Sequence, residues 1–486
     1  MQMTDAKTRQ LFEILRGIDL FGTAPPAPPW GDAVPDQLAV DHALRAGANA
    51  IPLALRNAYV TPLEQHLPRV LHELDGSPDL VETIAGAVYE HVDAGIARPL
   101  HRFLAVVSNL YRSFLDAERR ANAGFPVVEQ LPPMAMFQHK GDNGPFTLPV
   151  DVMTQLCGAR VGVVSMPATY ADHPVIWAAL AHETGGHDVL HADEQLLPEL
   201  GAGVRTIFGA HSVAVRETMT PAQFMGLLWA YWMDEAASDV YGTLNIGPTF
   251  GLNLAVFFAA LNARADGSDV PSLRADSGAG EDGRLDPHPT DIVRPHLVLG
   301  AVESLIGLRQ EVRDAYARQL TELADLFGQG ATSVTISGML PVGPSTARRV
   351  HATLPLADMQ KAARLVGGYI ASARLRALDG HSIQDLETWD DADEEAANRV
   401  AGGLARSTSV VGLGDDAQLL AGATLALFDD PAIYPQVTAG LNEALDASYA
   451  SDKIWGRPLR DHVYLRTRQM AVELANVVVV AADIGA

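Results

Sequence analysis

Ten consecutive residues, His182-Glu183-Thr184-Gly185-Gly186-His187-Asp188-Val189-Leu190-His191, hold three of the chain's sixteen histidines and two acids. With His173, four histidines fall between positions 173 and 191. Imidazole and carboxylate at close spacing are donors for zinc, which binds nitrogen and oxygen at about 2 Å and keeps an open position when catalytic. On a regular α-helix two histidines share a metal at i, i+4, because they lie about 40° apart around the axis. A glutamate directly after the first histidine points at the metal's water and can act as its base. His182 and His187 are five positions apart, about 140° on a regular helix, so they chelate only if the helix bulges. One extra residue in a turn is a π-bulge, a frequent companion of functional sites. Gly185-Gly186 sits where that bulge must be. The pair costs a helix about 2 kcal/mol against alanine, so it reads as a conformational requirement. The bulge would restore a shared face to His182 and His187 and leave Glu183 at the water.

A second arrangement uses the same residues. His187 and His191 are already at i, i+4, with Asp188 in the position of the base. This needs no bulge and makes His191 the alternative ligand. Asp is one methylene shorter than Glu, however, and the Gly-Gly step then has no purpose.

A third ligand must come from elsewhere. Tyr231-Trp232-Met233-Asp234-Glu235-Ala236-Ala237-Ser238-Asp239 offers Glu235 and Asp239 on one helix face. Ala236 and Ala237 are small and allow close approach of another helix. Glu235 can ligate the metal. Asp239 can accept the far N–H of a ligand histidine, as carboxylates around metal sites do.

Together, H-E-x-x-x-H and E-x-x-x-D resemble the gluzincin class of zinc metallopeptidases. His182-Glu183-Thr184-Gly185-Gly186-His187 is similar to the H-E-x-x-G-H helix of dipeptidyl peptidase III, whose second motif, E-E-x-x-x-E, is nearly matched by Asp234, Glu235 and Asp239. The resemblance implies zinc held by His182, His187 and Glu235, with Glu183 as general base and a peptide or small amide as substrate. It covers roughly residues 161–294. His288-Pro289-Thr290-Asp291-Ile292-Val293-Arg294 is similar to an H-P-x-x-x-x-R element that closes the core of several H-E-x-x-H families, and Arg294 could pair with Asp239. The strand Val161–Met166 resembles the edge strand on which such enzymes lay a peptide. Nothing else in the chain matches dipeptidyl peptidase III, so exopeptidase specificity is not implied. Tyr241, His211, His288 and Tyr231 are candidates for a donor to a developing oxyanion or for substrate contacts.

These residues need elements to hold them. A helix is predicted from Asp172-His173-Pro174 to about His191, with Asp capping and Pro in the first turn. A second runs from the capping-box pattern Thr220-Pro221-Ala222-Gln223 to about Tyr241, with Gly242 as its stop. Residues 1–21 read as a short helix, and five prolines between 22 and 35 as an extended strap. From 36 to 123 the apolar period is helical. Residues 266–289 read as a long exposed loop, 292–326 as helix, 331–340 as a small hairpin and the remainder to Val480 as mostly helix. The expected fold is mainly α with a small β element, a zincin-like metal-binding helix pair inside a large helical protein. The expected divisions are a helical region 1–125, a metallopeptidase-like core 126–300 and a helical region 301–486.

Composition narrows the partners. The 486 residues carry 59 acids against 35 bases, a net charge of −24. Nucleic acid and anionic membrane both recruit Lys and Arg, so neither is an expected partner. No leader-like or membrane-spanning apolar stretch is evident, and the single Cys157 permits no internal disulfide. A cytoplasmic protein with a buried thiol is expected, of unspecified oligomeric state. Asp385 to Glu395 holds seven acids and no base and reads as a solvated acidic face. Gly412-Leu413-Gly414-Asp415-Asp416-Ala417 fits a G-x-G-x-x-A pattern, but two aspartates would repel a pyrophosphate, so it reads as a turn with Asp capping. Phosphate-loop and nucleophile-elbow motifs are absent. Besides a zinc hydrolase, two readings stay open: a metal-binding protein or metal-dependent enzyme of another reaction class, and a non-enzymatic helical interaction protein.

Overall fold

The computed structural model describes residues 5–18, 20, 42, 44–66, 78–127, 131–138, 144–179, 181–193, 195–210, 219–265, 267, 270–280, 283–328, 330–343 and 346–455. The proline strap 22–35, His211 and the end of the predicted C-terminal helical stretch lie outside them. Among the described residues the chain is mainly helical, with two small three-stranded sheets. Buried side chains from Leu11 to Trp455 form one continuous cluster. No helix among the described residues is long and apolar enough to cross a membrane.

Four helices frame the site: α1 (Ala97–Leu115), α2 (Pro221–Tyr231), α3 (Met233–Ile246) and α4 (Arg294–Ser304). Helix α1 buries Leu100, Phe103, Leu104, Val107, Leu110, Tyr111 and Phe114, the three-and-four spacing of an amphipathic helix. Helix α2 opens on the expected capping box. Thr220 Oγ1 accepts from Gln223 N at 3.2 Å, and Gln223 Oε1 accepts from Thr220 N at 2.9 Å.

The predicted helix 220–241 is in fact two. It breaks at Trp232, whose indole Nε1 donates to Asp286 O at 3.0 Å while the Tyr231 hydroxyl donates to Leu285 O. Both are long-range bonds with no local sequence signal. Helix α3 then runs through Gly242, where a Cβ would sit 2.7 Å from the Phe250 ring. The stop is Gly247 instead, at φ +75°, a region glycine enters without penalty.

One sheet comprises β1 (Met134–Gln138), β2 (Phe146–Leu148) and β3 (Val163–Pro167), in the order β1-β3-β2. The expectation of an edge strand at Val161–Met166 is corrected here. Strand β3 is central, parallel to β1 and antiparallel to β2, and all five residues of β1 and of β3 are buried. The outer strand on the site's side is β2. On the opposite edge, the buried Glu90 carboxylate accepts from Phe137 N at 2.8 Å, which blunts β1 as a template for further pairing.

The second sheet joins β4 (Asp276–Ser277), β5 (Ser333–Gly343) and β6 (Thr346–Pro355). Residues 331–340 are therefore not a hairpin in themselves. They belong to one long strand, whose antiparallel partner is β6. Loop 266–289 contributes β4.

The acidic run is not simply a solvated face. Asp390 caps the helix Asp391–Ala405, accepting from Ala392 N at 2.7 Å. Glu394 is buried, where its carboxylate accepts from Tyr316 Oη and Trp389 Nε1. Glu387 is only 5% exposed and its Oε2 has no hydrogen-bond partner; burial pushes its pKa up to about 8. An unfolded Glu titrates near 4.3, so between about pH 4.3 and 8 the folded state holds a proton that the unfolded state gives up. Stability therefore falls as pH rises across that window, by up to about 1.4 kcal/mol per pH unit. Glu387→Gln is expected to raise Tm at pH 8 and to change it little near pH 4, as thermal melts at the two pH values would show. Asp415 does cap the turn at 412–416, with Gln418 N donating to Oδ1 at 3.0 Å, and Cys157 is buried.

Candidate metal centre

The segment predicted as one α-helix from 172 to 191 takes two other forms. Pro174–Ala179 is a 3-10 helix, and Ala181–Val189 is π-helical. The extra residue between His182 and His187 is thus absorbed by the wider π turn, as the Gly-Gly step requires. Gly186 has a second duty. A Cβ built on it would lie 2.1 Å from Ser238 Cβ and 2.3 Å from Ser238 Cα. The π segment therefore rests on α3 backbone to backbone, beside the small residues Ala236 and Ala237.

That contact brings His182, His187 and Glu235 together. The two Nε2 atoms are 3.2 Å apart. His182 Nε2 is 3.0 Å from Glu235 Oε2, and His187 Nε2 is 3.4 Å from Oε1. Atoms around a tetrahedral ion with bonds of about 2.0–2.1 Å stand about 3.3 Å apart, so the triangle has the dimensions of a zinc site. His182 Nδ1 lies 2.9 Å from Asp239 Oδ1, and His187 Nδ1 lies 3.1 Å from Asp234 Oδ1. A carboxylate at each Nδ1 draws the ring hydrogen there and leaves a lone pair on each Nε2. Glu235 Oε2 is buried, with His182 Nε2 as its neighbour. In that tautomer the lone pairs of both Nε2 atoms and the Glu235 carboxylate face one another closely enough to share a cation.

The charges around the cluster are matched. Asp239 is fully buried, and Arg294 grips it with Nε on Oδ2 at 2.7 Å and Nη2 on Oδ1 at 2.7 Å. Burial alone would raise Asp239, but Arg294 and His182 outweigh it and hold the carboxyl below its ordinary range. Burial likewise opposes charge on His182, yet Asp239 and Glu235 raise its pKa; for His187, Glu235 and Asp234 overcome burial by a wider margin.

The arrangement with His191 as ligand is not formed. His191 Nε2 lies 3.1 Å from Asp234 Oδ2, and its Nδ1 lies 3.6 Å from Asp151. Asp188 is engaged with the backbone, its Oδ1 accepting from Val150 N at 3.0 Å. Asp234 thus joins His187 to His191. Its place one residue before Glu235 was the available signal for that role.

Glu183 is half-buried, and its charge helps to raise His187. Thr147 Oγ1 is 3.1 Å from its Oε2. His288 stands at the open side of the cluster. Its Nε2 is 3.2 Å from Glu235 Oε1, and its Nδ1 is 2.6 Å from Asp286 Oδ1. Tyr241 is not brought to the site: it is fully buried, with its hydroxyl donating to Leu110 O at 3.3 Å. Tyr231 is likewise spent on Leu285 O. Thr147 carried no sequence signal, since it lies 36 residues from Glu183 on a three-residue strand. No protein-family model, no curated protein and no solved structure matches this chain.

Proposed function

We propose that the chain is a zinc-dependent hydrolase of the metallopeptidase type, acting on a peptide or small amide. The observation that carries the proposal is the convergence of His182 Nε2, His187 Nε2 and the Glu235 carboxylate, with each imidazole oriented by a carboxylate behind it. Glu235 Oε2, buried and facing His182 Nε2 at 3.0 Å, supports the same donor set. A zinc ion there supplies a Lewis acid for the carbonyl and acidity for the attacking water.

The protein's own groups do the rest. Glu183 takes a proton from the water and passes it to the leaving nitrogen. His288, steadied through Nδ1 by Asp286, offers Nε2 at the exposed side of the cluster, where it can donate to the developing oxyanion. Arg294 and Asp239 keep His182 turned toward the metal position. The net charge of −24 favours cationic over anionic peptides on approach.

Metal analysis of protein purified without chelators tests the site, with about one zinc per chain expected; a value near zero for every divalent ion sinks it. Glu183→Gln is expected to keep the metal and to lower hydrolysis by a factor of about 10²–10⁴. Unchanged turnover would remove Glu183 as the base. A peptide panel left uncut by the zinc-loaded protein would turn the proposal toward a metal-dependent enzyme of another reaction or a metal sensor.

A further inference from the structure

Thr147 is the middle residue of β2, paired with Val164 of β3. Its hydroxyl lies between two oxygens of one residue: 3.0 Å from the Glu183 carbonyl and 3.1 Å from Glu183 Oε2. Among the described residues it is the one side-chain donor to that carboxylate, and no Lys or Arg pairs with Glu183. We propose that Thr147 is a positioning residue for Glu183, holding its carboxylate beside the His182–His187–Glu235 cluster. The proposal rests on the reading of Glu183 as the base.

The chemistry favours a hydroxyl in that place. A glutamate has three rotatable bonds, and ordering it costs up to about 2 kcal/mol. A neutral donor orients the group without bringing a further charge to the cluster. The hydroxyl also has one hydrogen and two lone pairs. It can donate to the carboxylate, or turn its hydrogen to the Glu183 carbonyl and accept from a carboxylic acid. Glu183 is thereby held before and after it takes the proton. The β-branched side chain adds stiffness at χ1, and the β2–β3 register fixes its Cα.

Thr147→Val keeps the shape and removes the hydroxyl. It is expected to lower kcat about 10- to 100-fold while KM and zinc content stay within about twofold of wild type. Thr147→Ser should restore most of the rate. An unchanged kcat in Thr147→Val, or a serine variant as slow as the valine one, overturns the proposal. A crystal structure of zinc-loaded Thr147→Val gives a readout independent of turnover. The Glu183 carboxylate is expected to leave its wild-type position, and finding it unmoved also overturns the proposal. Failure of the underlying reading looks different, because hydrolysis would then survive Glu183→Gln or be absent from the wild type, and the crystal structure would still decide the role of Thr147.

Discussion

Gly186→Ala is expected to cost about 3 kcal/mol of stability and to leave a protein that cannot retain zinc through dialysis. The new Cβ would enter at 2.1 Å from Ser238 Cβ, 2.2 Å from its Oγ and 2.3 Å from its Cα. Contacts between carbons need about 3.5 Å or more, so the π segment and α3 must separate by more than 1 Å. His182 and His187 sit on one of these elements and Glu235 on the other. Their donor atoms are only 3.0 and 3.4 Å apart across the junction, so separation opens the triangle beyond what one ion spans. Ser238→Gly is not expected to rescue the variant, because the Ser238 Cα alone already clashes. Thermal melts with and without zinc, with metal analysis after dialysis, give the answer. A variant with wild-type Tm and a full complement of zinc would show that the two segments part without consequence.

Arg294→Ala should be comparably severe, for an electrostatic reason. Both partners are buried, Arg294 at 2% exposure and Asp239 at 0%. The guanidinium also lies 4.4 Å from the centre of the Phe258 ring. Removing one partner of a buried pair strands the other charge, at a cost of about 3–5 kcal/mol. Asp239 also orients His182, and loss of such support typically lowers metal affinity about 10- to 100-fold. Arg294→Lys should fall between wild type and alanine, since Lys keeps the charge and loses the two-pronged grip. The effect carries a pH signature. In the wild type a depressed Asp239 contributes stability above the unfolded carboxyl value of about 3.9, lost as pH falls through its folded value. In the variant Asp239 stays buried without the guanidinium that does most to hold its carboxyl down, so this contribution shrinks. The gap in Tm between the two proteins should be widest at neutral pH and narrow toward pH 4. A gap that is flat with pH would argue that Arg294 acts through packing alone.

The His182–His187–Glu235 cluster was legible because its evidence is local. Histidine spacing and the Gly-Gly step point to a widened turn, and Glu235 with Asp239 shares a helix face. Arg294 was legible only as half of a pair whose other half had already been placed. What escaped prediction depends on distant contacts. Trp232 is compatible with a helix interior, and only its bond to Asp286 O explains the break there. Val163–Pro167 has the composition of a strand, but whether it is central depends on β1, more than twenty residues earlier. Glu387 and Glu394 look like members of a charged run until the fold buries both and brings Tyr316 and Trp389 to Glu394. Thr147 is one polar residue on a short strand, and nothing nearby marks it.

The widened turn at 181–189 also works as a phase correction. A regular helix one residue shorter could still place two histidines on a metal at four-residue spacing. The present residues on a regular helix, with no widened turn, would instead carry everything after the Gly-Gly step round by about 100°. Asp188 would leave the amide of Val150, which it now reaches at 3.0 Å. Asp193 would leave the buried Arg120, now bound through contacts of 2.6 and 3.0 Å. The widened turn thus takes up the inserted residue without a change of phase, so that one continuous stretch keeps its first half timed to Glu235 and its second to the helices around Arg120 and Val150.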